Sequence, residues 1–313
     1  DIELTTNILY YDDRIKKEGY SSYEQYLPSS DKLTIEEQIR SVNHIHNLEL
    51  ASRLNVNTKN RYINNAFNLN ANWNNDFGTS HTHSNTNVAD IQISQRLKQP
   101  FLSIDNTMNL IKTVKDNTYK IYFSIGYGHK PHSLEVSPAT YWGDKQAESL
   151  TQDLLDRNLA SILRLSYNLT LKDFRLDYNL WGNVNIRNLD TELAGQGSDY
   201  KERFSADSLR NNLWYNTYQT GFYQSYTYDN NHNFKVTLKI PLTYLVLTKN
   251  DKILDKNNTY QRFNVNPALT LKYDYRDFSF YIQGNAGRNF GDMNSNYTGF
   301  IMRSYRSLLR NDI

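Results

Sequence analysis

The chain has seven histidines, and two pairs of them are spaced for joint work. His44 with His46, and His81 with His83, stand two residues apart, which puts both imidazoles of a pair on one face of a strand. A metal site built on either pair needs a third ligand, and none falls at a suitable spacing. Both pairs read instead as solvated positions at loop edges. Three carboxylate pairs, Asp12 with Asp13, Glu36 with Glu37 and Asp173 with Asp177, have the composition of a general acid and base. Their sequence surroundings hold nothing that would exclude water or shift a pKa toward catalysis. Asp173 is more simply a turn former. Gly284-Asn285-Ala286-Gly287 lacks the following helix of a dinucleotide fingerprint, and no nucleophile elbow, phosphate loop or zinc signature occurs. The expectation is a protein that is not an enzyme and holds no cofactor or metal.

Binding chemistry has better candidates. Arg53, Arg164, Lys235, Lys239, Arg262 and Lys272 all fall on the polar phase of alternating segments, so they project into a common interior if the apolar phases face lipid. There they either attract an acidic solute or hold an inserted domain, or they hydrate and pair with residues such as Glu49 and Asp177. Tyr141-Trp142, between two strand candidates, is the best loop pair for stacking on a flat ligand, unless it packs its own loop.

These side chains depend on the segments that carry them. From Phe234 to Val246, Phe, Val, Leu, Ile, Leu, Tyr and Val occupy every second position, with Lys235, Thr237, Lys239, Pro241 and Thr243 between them. That is a strand with one apolar and one wet face. The same alternation brackets five short polar turns, at 58–61, 115–118, 172–173, 229–233 and 275–277. Between the hairpins lie longer connections, at 13–43, 76–100, 131–157, 191–210 and 249–258, with helical character at 34–39 and 146–155. With further strands at 2–11 and 298–308, the count is about twelve in up-and-down order.

Short turns at one end and long loops at the other predict an all-β, transmembrane, antiparallel up-and-down β-barrel, or an incomplete part of a larger one. The short turns are then periplasmic and the loops extracellular. Composition agrees with this. A mean hydropathy of -0.74 and 22% charged residues exclude helical membrane spans but not strands with one wet face. The aromatic load of 25 Tyr, 13 Phe and 4 Trp favours tyrosine, which suits an apolar surface that is wet at its rim. A balance of 35 basic and 33 acidic residues gives no global attraction to nucleic acid. With no cysteine, disulfides and thiolate sites are excluded. The chain opens at Asp1 without an export signal, which is expected to be removed or to lie outside it.

Three stretches carry a family likeness: Leu169-Thr170-Leu171-Lys172-Asp173-Phe174-Arg175-Leu176-Asp177-Tyr178, Lys98-Gln99-Pro100-Phe101-Leu102-Ser103, and Tyr297-Thr298-Gly299-Phe300 with Tyr305-Arg306-Ser307-Leu308. In style the chain from about residue 44 on resembles the barrels of TonB-dependent receptors from Bacteroidetes, close to the SusC-related proteins with a carboxypeptidase-regulatory-like domain. The resemblance implies a bacterial outer-membrane location and uptake of a nutrient, whether glycan, peptide or chelate. It also implies outer-membrane lipid, TonB acting through a plug, and a surface lipoprotein as partners. This chain lacks plug, TonB box and the terminal aromatic of a last barrel strand, so residues 1–313 are expected to be one barrel domain and a fragment. A surface adhesin that moves nothing, and a soluble β-sandwich, are the rival readings.

Overall fold

The computed structural model describes residues 1–26, 32–85, 91–138, 148–196, 201–203, 209–230, 233–275, 278–284, 301–304 and 307–309. Among these there is no α-helix. One antiparallel sheet is built from β1 (Ile2–Tyr26), β2 (Lys32–Thr58), β3 (Arg61–Ser84), β4 (Ile91–Val114), β5 (Asn117–Ser137), β6 (Ser149–Leu171) and β7 (Phe174–Gln196). It continues through β8 (Lys201–Arg203), β9 (Asn211–Asp229), β10 (Phe234–Asp251), β11 (Lys256–Val265), β12 (Ala268–Tyr275) and β13 (Phe278–Gly284). β11 and β12 pair with β10 in a single register, Leu242 opposite Val265 and Leu238 opposite Leu269. They are one strand broken at Asn266-Pro267, where proline has no amide to give. The sheet therefore counts twelve strands, as expected. β8 is a short arm folded back on the end of β7, leaving eleven positions in the wall. The two margins, β1 and β13, are not paired to each other, so the sheet is open.

Register carries the alternation across the whole wall. Ile2, Val56, Ile63, Leu110, Ile121, Leu165, Leu180, Phe222, Leu242 and Val265 are successive cross-strand partners, so an unbroken apolar row runs from β1 to β11. Rows above and below it extend this into a belt about nine residues tall, Leu48 to Val56 on β2 and Tyr119 to Tyr127 on β5. With standard strand spacings the belt is roughly 50 Å wide and 30 Å tall. It is not a core: Leu165 is 40% exposed, Leu180 51% and Phe263 62%. Soluble monomers rarely expose more than a few hundred Å² of contiguous apolar surface.

Aromatic rings line the turn end of the belt. Tyr119 and Tyr167 are 5.1 Å apart, Tyr167 and Tyr178 6.3 Å, and Phe174 and Tyr228 5.0 Å. The turns descend like a staircase. Arg61 lies opposite Lys112, two residues before the next turn begins after Val114, and Asn117 lies opposite Leu169, two before the turn after Leu171. A stagger of one residue per strand tilts the strands by roughly 35°, the tilt of a barrel wall. Each step is stitched by a turn carbonyl. Asn60 accepts from the Thr113 amide at 3.0 Å, Asp116 from Thr170 at 3.3 Å, Asp173 from Asp229 at 2.9 Å and Asn233 from Asp274 at 2.8 Å.

The predicted long connections are mostly strand. β1 has 25 residues and β2 has 27, against about ten needed to cross a bilayer. The helical segment at 34–39 is part of β2, and 149–155 belongs to β6, while 146–147 lie outside the described residues. Above the belt apolar side chains no longer keep to one face, so alternation fades while pairing continues. The 249–258 connection is a four-residue turn, in which Asp251 Oδ1 accepts from the amides of Ile253 and Leu254 at 3.1 and 3.2 Å. The wall strand expected at 298–308 is instead a separate hairpin, β14 (Ile301–Ser304) with β15 (Ser307–Leu309). Ile301 packs against Leu189 and Leu213, on the polar side of the wall.

Candidate functional site

All six predicted basic residues lie on the face opposite the apolar belt, but they do not converge. Arg53 borders a depression of about 480 Å³ with Glu3, Asn7, Asn55 and Asn68 near the β1 margin. Arg164 stands between Tyr122 and Trp181 on neighbouring strands. Lys235 and Lys272 are directly opposite each other, each neutralised by its own carboxylate, Asp229 at 3.1 Å and Asp274 at 2.8 Å. Lys239 faces Ser225 and Ala268, and Arg262 faces Leu245 at the other side of the wall from Arg53. Tyr141 and Trp142 lie outside the described residues.

His44 and His46 sit well inside β2 rather than at a loop edge, while His81 and His83 lie in the last four residues of β3, at its loop edge as expected. His46 Nδ1 lies 3.5 Å from Asp12 Oδ1. Among the described residues no three histidines or carboxylates converge as a metal would need.

The site that sequence reading missed is assembled by register on the polar face of β4 to β7. A depression of about 370 Å³ is lined by Phe101, Ser103, Asp105, Gly126, Gly128, Lys130, Asp156, Asn158, Ala160, Asn185 and Arg187. Every second position on β5 here lacks bulk, so Gly126 and Gly128 expose backbone as a floor, and Asp105 Oδ1 overhangs Gly126 where a Cβ would be. Arg187 donates to Asp156 through two nitrogens, at 3.0 and 2.8 Å, and the pair is mostly shielded from solvent. Ser103 Oγ donates to Asp105 Oδ2 at 2.7 Å. Lys130 Nζ sits 5.1 Å from the Phe101 ring centroid. Asn158 Oδ1 is buried with no partner. The one advance signal was the Gly126-x-Gly128 alternation on a polar strand face.

A second polar feature runs along β3, where Asn68, Asn70, Asn72, Asn74 and Asp76 share the polar face. The Oδ1 atoms of Asn70, Asn72, Asn74 and Asp76 are buried without partners, and burial raises the Asp76 carboxyl against the opposing pull of Lys17. Beyond the belt the polar face also gains a small core of Leu134, Val136, Leu193 and Leu209.

Past the belt, His132 borders a depression with Lys98, Asp153, Asp190 and Glu192, and its Nδ1 lies 3.3 Å from Gln99 Nε2. Burial holds His132 below the ordinary histidine range, so the folded state prefers it neutral. The unfolded chain therefore takes up this proton first. The contribution is fully present above about pH 6.5 and is lost as pH falls from there through the depressed folded value. Protection factors of the amides at 129–134, with the intrinsic pH dependence of exchange divided out, are expected to fall between pH 7.5 and 5.5, and His132→Gln to flatten that difference. Unchanged pH dependence in the variant would remove His132 as its cause.

Comparison with protein-family models gives no match to this chain, and comparison with curated proteins gives none either.

Proposed function

We propose that this chain is the wall of a bacterial outer-membrane β-barrel serving nutrient uptake, of the TonB-dependent receptor type, with no catalytic activity of its own. The observation that carries the reading is the exposed apolar belt, a band about one bilayer tall whose opposite face is polar and holds a charged depression. Tyrosine rings gathered at the turn end are what a headgroup boundary favours, which supports the reading. The barrel-like stagger and the up-and-down order support it further. The finer type rests on the likeness of the hairpin sequences. It brings with it a plug, TonB, a surface lipoprotein and a small or oligomeric nutrient as partners, and outer-membrane lipid around the belt.

The direct test is insertion. Refolded protein is mixed with vesicles of hydrocarbon thickness near 30 Å and with much thicker ones, and folding is read by gel mobility before and after heating. Folding in the thinner bilayers and failure in the thicker is the expected result. A protein that stays soluble and fully folded without lipid or detergent would overturn the membrane assignment.

The strands that run on past the belt favour one other reading. A long polar extension is also what a surface adhesin would display. Adhesin and transporter part on one measurement, solute flux into vesicles that hold the whole receptor.

A further inference from the structure

The depression on β4 to β7 holds two charges of opposite sign that form no ion pair among the described residues. Asp105 accepts only the Ser103 hydroxyl, and no cation pairs with it among the described residues. Lys130 reaches over the Phe101 ring, with no carboxylate partner among the described residues. Asp156 and Arg187, by contrast, satisfy each other. Phe101 and Asp105 are four residues apart on one strand, so the stations of the ammonium and the carboxylate along it are roughly 13 Å apart from Cα to Cα. Between them the floor is glycine backbone, and the wall carries the amides of Asn158 and Asn185, with Asn158 Oδ1 buried and unpartnered.

We propose that this depression binds a short linear peptide with free termini, its α-ammonium at Asp105 and its α-carboxylate at Lys130. An extended chain of about four residues spans that gap. The side-chain amides of Asn158 and Asn185 offer donors and acceptors to its backbone, and Gly128, which Asp105 leaves uncovered, lets that backbone approach closely. A neutral polyol would leave both end charges unmet, and an anion alone would be repelled by Asp105. The assignment deepens the uptake reading and rests on it for the direction of traffic, while binding itself depends only on the depression.

Calorimetric titration of the detergent-folded protein with tetraalanine, N-acetyl-tetraalanine and tetraalanine amide tests it. Tetraalanine is expected to bind, and blocking either terminus to weaken binding by about tenfold or more, the scale of one charge-assisted hydrogen bond. In Asp105→Asn the acetylation penalty is expected to vanish while the amidation penalty remains, and Lys130→Gln is expected to do the reverse. Both side chains are exposed, so the variants should fold, and gel mobility checks that they do. Equal binding of free and capped peptides, penalties that survive in the matched variants, or no peptide binding beside binding of maltotetraose would each overturn the proposal. Micelle binding without vesicle insertion would overturn the membrane reading and leave the peptide site standing. Insertion without peptide binding would do the opposite.

Discussion

Leu165→Arg is expected to destabilise the lipid-inserted fold strongly, while the native arginine one residue earlier, at 164, is tolerated. Leu165 lies midway up the β6 stretch of the belt, between Ile121 and Leu180 on its neighbours, with 40% of its surface exposed. An arginine at the midplane of a barrel's lipid face costs about 2–4 kcal/mol, or roughly a thirtyfold to several-hundredfold shift away from the folded, inserted state. Arg164 points the other way, which is why a single residue separates tolerance from failure. Urea titration of vesicle-inserted protein reads the shift. If Leu165→Arg costs less than about 0.5 kcal/mol, the size of an ordinary surface substitution, then water covers the belt and the membrane reading fails.

Gly221→Val is the second large effect, and it lives in packing rather than solvent. Gly221 is the direct cross-strand partner of Trp181, whose ring lies over it on the polar face. A Cβ at 221 would stand 2.5 Å from Trp181 Cε2 and 2.6 Å from its Nε1. The indole must leave a position that Thr220 helps to frame through its bond to the Trp181 carbonyl at 3.0 Å. Such overpacking costs about 1–3 kcal/mol. Gly182→Ala is the control, because its Cβ meets nothing within 4 Å. The double variant Trp181→Ala, Gly221→Val is expected to recover part of the loss, by the same denaturant titration. No loss in Gly221→Val would mean that the ring has another resting place.

The faces of the wall were legible because a period of two needs only a few residues to declare itself. Leu48, Leu50, Leu54 and Val56 set against Asn47, Glu49, Arg53 and Asn55 leave one register open, and the structure has that register. The strand ends were not legible. Thr34-Ile35-Glu36-Glu37-Gln38-Ile39 reads as helix on local propensity, yet β1 and β3 hold it in the sheet on both sides. Pairing outweighs propensity of that size. The depression was hidden for a different reason. Asp105, Lys130, Asp156 and Arg187 sit on four strands, and only the cross-strand register makes neighbours of them. The six basic residues were placed on the correct face by parity alone. Parity says nothing of distance along or across the wall, so it could not show that they are dispersed.

The eleven wall positions alternate strictly in direction, so β1 and β13 point the same way. An odd number of alternating staves cannot be hooped into a cask whose every seam is antiparallel. A strand of opposite sense has to be slotted between the two margins before such a seam can close. If the belt lies in hydrocarbon, as proposed, a bare row of amides and carbonyls finds no water there, and both margins need a partner strand.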